Sequence, residues 1–189
     1  MNHVVRTLSA MLMLAVFAPG TSFAQDARLF ELSGGYSFAR ASNSFVGMNF
    51  NGWIASATGN LSPIFGITGE IGGSYRSIDP FGNGNDLLVT LHSFLAGPRV
   101  NLRAATKVTL FGQFLVGAHR FGLEGASATD FAIQPGVGVD FWTAPNVAVR
   151  LGADYRRTFR SGSRRLLIFE GNSWNQFVVH VGGVVAPKM

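Results

Sequence analysis

Between Phe50 and Arg76 the side chains alternate, and this alternation limits the fold more than any other feature of the chain. Phe65, Ile67, Ile71 and Tyr75 take odd positions, while Thr68, Glu70, Ser74 and Arg76 take even ones. A period of two means a strand with one apolar and one polar face. The preceding run repeats the pattern more weakly, with Trp53, Ala55, Ala57 and Leu61 against Ser56, Thr58 and Asn60. Asn60-Leu61-Ser62-Pro63 is turn chemistry, so the two runs read as a long antiparallel hairpin.

The rest of the chain looks like this hairpin repeated. Residues 29–39 set Phe30, Leu32, Tyr36 and Phe38 against Glu31, Ser33, Gly35 and Ser37. In residues 87–103, Phe94, Ala96, Val100 and Leu102 oppose Ser93, Gly97, Arg99 and Asn101; Leu87-Leu88-Val89 does not alternate, and its register stays open. Residues 107–121 set Val108, Leu110, Phe114, Val116 and Ala118 against Thr109, Gln113, Gly117 and His119, although Phe111 and Leu115 interrupt the polar set. Residues 130–142 set Phe131, Ile133, Val137, Val139 and Phe141 against Gln134, Gly136, Gly138 and Asp140. Residues 147–158 set Val149, Leu151, Ala153 and Tyr155 against Arg150, Gly152, Asp154 and Arg156. The last run, 174–185, carries Phe177, Val179, Val181 and Val185 on its apolar face.

Tight turns at residues 60–63, 104–106 and 143–146 alternate with longer loops at 40–49, 78–86, 122–129 and 160–173. Eight strands joined long, short, long, short is the rhythm of an up-and-down membrane barrel, with both termini on the side of the short turns. Each run supplies the roughly 9–11 residues that a tilted strand needs to cross a bilayer.

Alternation does not say which face is inside. A soluble eight-stranded barrel has the same period with its apolar face inward. Charge decides. The chain is 13% charged, against roughly 25% in an ordinary soluble domain, and the polar faces carry Gly, Ser, Thr and Gln with isolated ionisable residues. Such faces suit a narrow interior and are too weakly charged for a solvated exterior. Aromatic residues near strand ends, such as Trp53, Tyr75, Phe141 and Tyr155, fit the interfacial girdles of a membrane barrel. Only a closed barrel satisfies strand backbones in lipid.

The N-terminus fits export. His3 and Arg6 precede the apolar run 8–18, Pro19-Gly20 break it, and Ser22-Phe23-Ala24 supplies small residues for cleavage. Residues 1–24 therefore read as a signal peptide, and residues 25–189 as one barrel domain beginning at Gln25. The absence of cysteine excludes disulfides and thiolate metal sites. The formal charge of +5, with no basic stripe or recognition module, argues against nucleic-acid binding.

Gly52-Trp53, Gly59-Asn60-Leu61, Ile67-Thr68-Gly69-Glu70, Leu95-Ala96-Gly97-Pro98-Arg99-Val100, Gly136-Val137-Gly138-Val139-Asp140 and Arg150-Leu151-Gly152-Ala153-Asp154-Tyr155 follow one another in an order and spacing that resembles bacterial outer-membrane β-barrels of the OmpA-like and OmpX-like eight-stranded type. The resemblance spans essentially the whole mature chain and implies an outer-membrane location. It also implies outer-membrane lipids, lipopolysaccharide among them, and the barrel-assembly machinery as partners of a monomer. Two departures stand out: no peptidoglycan-binding domain follows Val185, and the final residues lack the terminal aromatic such barrels often carry.

On this register Glu31, Glu70, Arg99, Gln113, His119, Gln134, Asp140, Arg150 and Asp154 point inward, as do Arg76, Arg156 and His180. An eight-stranded barrel is just wide enough for side chains to fill, and charges inside it must pair. The simplest reading is a structural plug in which Arg99 and Arg150 meet Glu70 and Asp140; the alternative is a narrow, low-conductance pore. Catalysis is not expected. His92-Ser93 is the adjacent His–Ser pair, but neighbouring strand residues face opposite sides, and no nucleophile, base and orienting group stand at workable spacing. A lipid A-modifying enzyme is thus the least supported role. No metal-ligand spacing or cofactor motif is present. Arg156, Arg157, Arg160, Arg164 and Arg165 concentrate charge around the last loop, where guanidinium groups would suit lipopolysaccharide phosphates.

Overall fold

In the computed structural model, which describes residues 28–42, 47–79, 87–123, 126–159 and 173–187, the chain forms a closed barrel of eight strands. They are β1 (Phe30–Ser42), β2 (Gly47–Asn60), β3 (Phe65–Ile78), β4 (Leu87–Ala105), β5 (Val108–Leu123), β6 (Ala126–Ala144), β7 (Val147–Phe159) and β8 (Ser173–Val185). Every neighbouring pair is antiparallel, and β1 pairs with β8 to close the sheet. The order is the up-and-down one that the alternating loop lengths predict.

The faces are sorted as they must be in lipid. Leu32, Tyr36, Ile67, Phe94, Phe114, Val137, Leu151 and Phe177 are exposed on the outer wall, while Glu70, Arg99, Asp140 and Asp154 are buried within. A soluble barrel would reverse both sets.

Three local features shape the wall. At the closing seam Gly34 and Gly35 face Gly183 and Gly182, and a Cβ added to Gly35 would collide with the Val181 carbonyl. Only glycine permits that approach. Pro98 and Pro135 lack an N–H, and the β4–β5 and β6–β7 ladders are interrupted beside them. The β5–β6 hairpin also runs further than its sequence suggests. Its residues 122–123 and 126–129, expected in a loop at 122–129, continue the ladder instead, and residues 124–125 lie outside the described residues. The first loop shrinks likewise, because Arg40, Ala41 and Ser42 pair with Asn49, Met48 and Gly47. The expected loop at 160–173 lies outside the described residues except for Ser173, the first residue of β8.

The open register in β4 resolves with odd residues inward. Val89 and Leu91 are buried beside Phe50, Phe121, Trp174 and Val178 in an apolar cluster that fills the lumen toward the long loops. Phe111 and Leu115, which interrupt the polar pattern of β5, also point inward. The interior is therefore not uniformly polar.

Candidate functional site: the filled lumen

The lumen is stacked in layers, beginning at the end of the short turns. Here six side chains from β1, β2, β4, β6 and β7 close a ring across the barrel. Asn60 donates through Nδ2 to Glu31 Oε1 at 3.0 Å, and Arg150 Nη2 donates to Glu31 Oε2 at 3.2 Å. Arg150 also grips Asp140 in a fork, Nε to Oδ1 at 2.7 Å and Nη2 to Oδ2 at 2.8 Å. Arg99 Nη2 reaches the same Asp140 Oδ2 at 3.0 Å, and its Nε donates to Asn101 Oδ1 at 2.8 Å. Asn101 then returns to Asn60 Oδ1 at 3.0 Å.

Two arginines and two carboxylates leave this ring neutral, as burial requires. The Phe111 ring lies 3.8 Å from the Arg99 guanidinium carbon and 4.8 Å from that of Arg150. Arg99 Nη1 has no hydrogen-bond acceptor, and this aromatic face provides its electrostatic support. Inward-facing Gly138 makes room for Phe111, whose ring occupies the space a Cβ would need. Nearer the turns, Arg28 stacks 3.3 Å from the Trp142 ring centroid and donates to the Pro145 carbonyl, covering that end of the barrel.

The middle layer is held differently. Glu70 accepts from Gln134 at 2.8 Å and from Gln113 at 3.5 Å, while Arg156 stands 3.8 Å away. Gln113 also donates to Asp154 Oδ1 at 3.1 Å, and Arg156 Nε donates to Gln134 Oε1 at 2.7 Å. His180 Nε2 lies 3.3 Å from Asp154 Oδ2, a close contact without the alignment of a hydrogen bond. Gly136 and Gly152 give Asp154 and His180 space to lie against the wall. Above this layer His119 shares a hydrogen bond of 2.9 Å with Thr158 Oγ1 and stacks on Trp174 at 5.0 Å. The apolar cluster follows.

All nine residues expected in the polar lumen are buried there. The expected pairing is half corrected. Arg99 and Arg150 do share Asp140, but their second carboxylate is Glu31, and Glu70 pairs with Arg156. On β3 the residue level with Arg99 is Gly66, so Glu70 stands four positions higher, roughly 13 Å along the strand. Arg156 is a second correction. It is buried among Glu70, Gln134 and Gln176 inside the barrel, so it does not belong with the outer arginines. Arg157 does face outward, near Ser173 and the Phe159 ring; Arg160, Arg164 and Arg165 lie outside the described residues. Arg76, at an inward position near the loop end, donates to the Asn49 carbonyl at 3.4 Å. Sequence reading missed Asn60, Asn101 and Gln176, although their positions in the polar alternation mark them. His92 and Ser93 face opposite sides of the wall, and among the described residues no three metal-ligating side chains gather.

A closed antiparallel barrel of eight strands, apolar outside and filled by charged and polar side chains, is the fold of eight-stranded outer-membrane β-barrels. Solved structures of that class match the chain along most of its length. Neisserial surface protein A superposes with a TM-score of 0.66 at 15% identity, covering 84% of this chain and 97% of that one. Ail, the attachment invasion locus protein of Yersinia pestis, solved in complex with the heparin analogue sucrose octasulfate, superposes at 0.57 with 17% identity, covering 82% and 97%. These neighbours are bacterial outer-membrane proteins, and at this level of identity the likeness establishes the fold. No protein-family model and no curated protein matches the sequence.

Proposed function

We propose that the chain is a monomeric integral outer-membrane protein, exported by a signal peptide cleaved after Ala24, whose barrel serves as a rigid scaffold for surface interaction. The carrying observation is the lumen. A neutral ring of two arginines and two carboxylates crosses it at one level, a glutamate–arginine–glutamine layer crosses it at the next, and apolar side chains fill it above. Three such layers among the described residues support a barrel closed along its axis, whose role lies at its wall and loop end. Outer-membrane lipids, lipopolysaccharide included, are the partners its apolar wall and outward Arg157 suit, and the barrel-assembly machinery is the partner its folding requires. Among the described residues the hydroxyl bonded to an imidazole inside the barrel, Thr158 on His119, is sealed from solvent, which supports a non-enzymatic role.

Planar-bilayer recording of the refolded protein tests the proposal. The expected record shows no unitary steps across the working voltage range. Regular, salt-dependent steps would overturn the scaffold reading and establish the narrow pore in its place.

A further inference from the structure

One cross-strand row on the outer wall runs Tyr36, Trp53, Gly73, His92, Arg120, Thr129 across β1 to β6. Most of the outer wall is apolar, but this row places two basic side chains, His92 and Arg120, directly opposite each other. They are not isolated. Trp53 Nε1 donates to Tyr75 Oη at 3.2 Å, and Tyr75 Oη lies 3.4 Å from His92 Nε2 with the two rings edge to face. Gly73 has no side chain, and this leaves the space in which the indole and the phenol meet. Arg120 donates to Ser127 Oγ at 3.2 Å, and its guanidinium carries further N–H donors.

Two more observations concern what this cluster faces. Every carboxylate in the described strands (Glu31, Glu70, Asp130, Asp140, Asp154) occupies an inward position, so among the described strand residues none stands on the exterior face beside His92 and Arg120. Directly toward the turns from the cluster lies a groove of about 620 Å³ on these four strands and the neighbouring β1. Small outward residues, Ala57, Gly69 and Ala96, form its floor, and Ile71, Phe94 and Val116 rise beside it. Successive outward positions connect the two: His92 leads to Phe94 and Ala96, and Trp53 leads to Ala55 and Ala57.

A guanidinium and an imidazole at one level, and an apolar trough immediately beneath, match an amphiphile with an anionic head. We propose that the exterior of β2–β5 binds one phosphate-bearing lipid of the surrounding leaflet, with its phosphate at His92 and Arg120 and an acyl chain in the groove. The guanidinium supplies charge and directed donors to phosphate oxygens, and the imidazole adds a ring N–H beside it. Tyr75 and Trp53 sit where phosphate gives way to hydrocarbon, a depth that suits amphipathic rings. The site deepens the membrane-scaffold reading and rests on it.

Trp53 provides the test, because it faces outward beside the groove while Trp142 and Trp174 are buried. The full mature protein is refolded into vesicles of phosphatidylcholine mixed with phosphatidylglycerol, and bromines are placed on the acyl chains of one lipid at a time. Brominated phosphatidylcholine should quench Trp53 in every correctly folded variant, and its failure to do so would sink the membrane reading itself. In the parent, brominated phosphatidylglycerol should show about fivefold tighter apparent binding at Trp53 than the zwitterionic lipid, the effect of about one basic residue at a membrane surface. Arg120→Gln with His92→Gln should bring that ratio to about one, and Arg120→Lys should retain most of it. Gly69→Leu, which fills the trough, should weaken retention of the brominated chain for both lipids. Inorganic phosphate at millimolar concentration should not compete. Equal quenching by both lipids in the parent, a preference untouched by the double substitution, or displacement by inorganic phosphate would each overturn the lipid site and leave the barrel standing.

Discussion

Asp140→Asn tests the plug at its most connected point. Asp140 is wholly buried and accepts three hydrogen bonds from two arginines, at 2.7, 2.8 and 3.0 Å. Asparagine keeps the shape but removes the charge. Arg99, itself fully buried, is then left with Glu31 at 3.7 Å, and Arg150 competes for the same carboxylate at 3.2 Å. A buried ion network that loses one partner is destabilised by about 3–5 kcal/mol, mostly because the orphaned charge has no water to turn to. The double substitution Arg99→Met, Asp140→Leu gives an internal control. It leaves Arg150 and Glu31, still 3.2 Å apart, as a neutral pair, so it should cost less than half as much as Asp140→Asn. Urea unfolding in detergent micelles, followed by tryptophan fluorescence, measures both losses, with single-channel recording on the same samples. A stability equal to the parent's in Asp140→Asn, together with new conductance, would mean that water already solvates the ring, and the plug would be refuted.

Other predictions test the wall and the topology. Phe114→Arg, in the middle of β5 on the apolar exterior, should cost about 2–4 kcal/mol of stability in lipid vesicles, while Val149→Arg, close to the β6–β7 turn, should cost clearly less; equal, negligible losses would show that the face does not meet lipid. Gly35→Ala should destabilise by about 1–3 kcal/mol because the new methyl meets backbone at the β1–β8 seam. Gly183→Ala, whose methyl would find open space, should be nearly silent in the same urea titration. Trypsin added to intact cells should cut within residues 160–172, where Arg160, Arg164 and Arg165 lie. Cleavage at Arg103 or Lys107 with the outer membrane intact would place the short turns outside and reverse the orientation.

The period of two, the turn chemistry at Asn60-Leu61-Ser62-Pro63, and the alternation of short and long connections were enough to specify eight antiparallel strands, and the weak charge of the polar sets was enough to turn them inward. Those are local properties. A strand's face follows from adjacent residues, and a hairpin follows from its own turn. The apolar interruptions were equally visible in the sequence, but their meaning was not. Phe111 and Leu115 read as blemishes until the closed wall showed Phe111 beneath two guanidinium groups and Leu115 packed with Leu95 and Ala132. Partners across the lumen were decided only by the tertiary structure. In a closed barrel the strands are staggered, so the height at which an inward residue reaches the axis depends on the shear of the whole sheet. Gly66, not Glu70, therefore comes level with Arg99, Glu31 from the distant β1 completes the ring instead, and Glu70 is left to Arg156. The same stagger aligned Trp53, His92 and Arg120 along one outer row. No spacing within a single strand encodes that row, because it exists only once neighbouring strands have fixed their register.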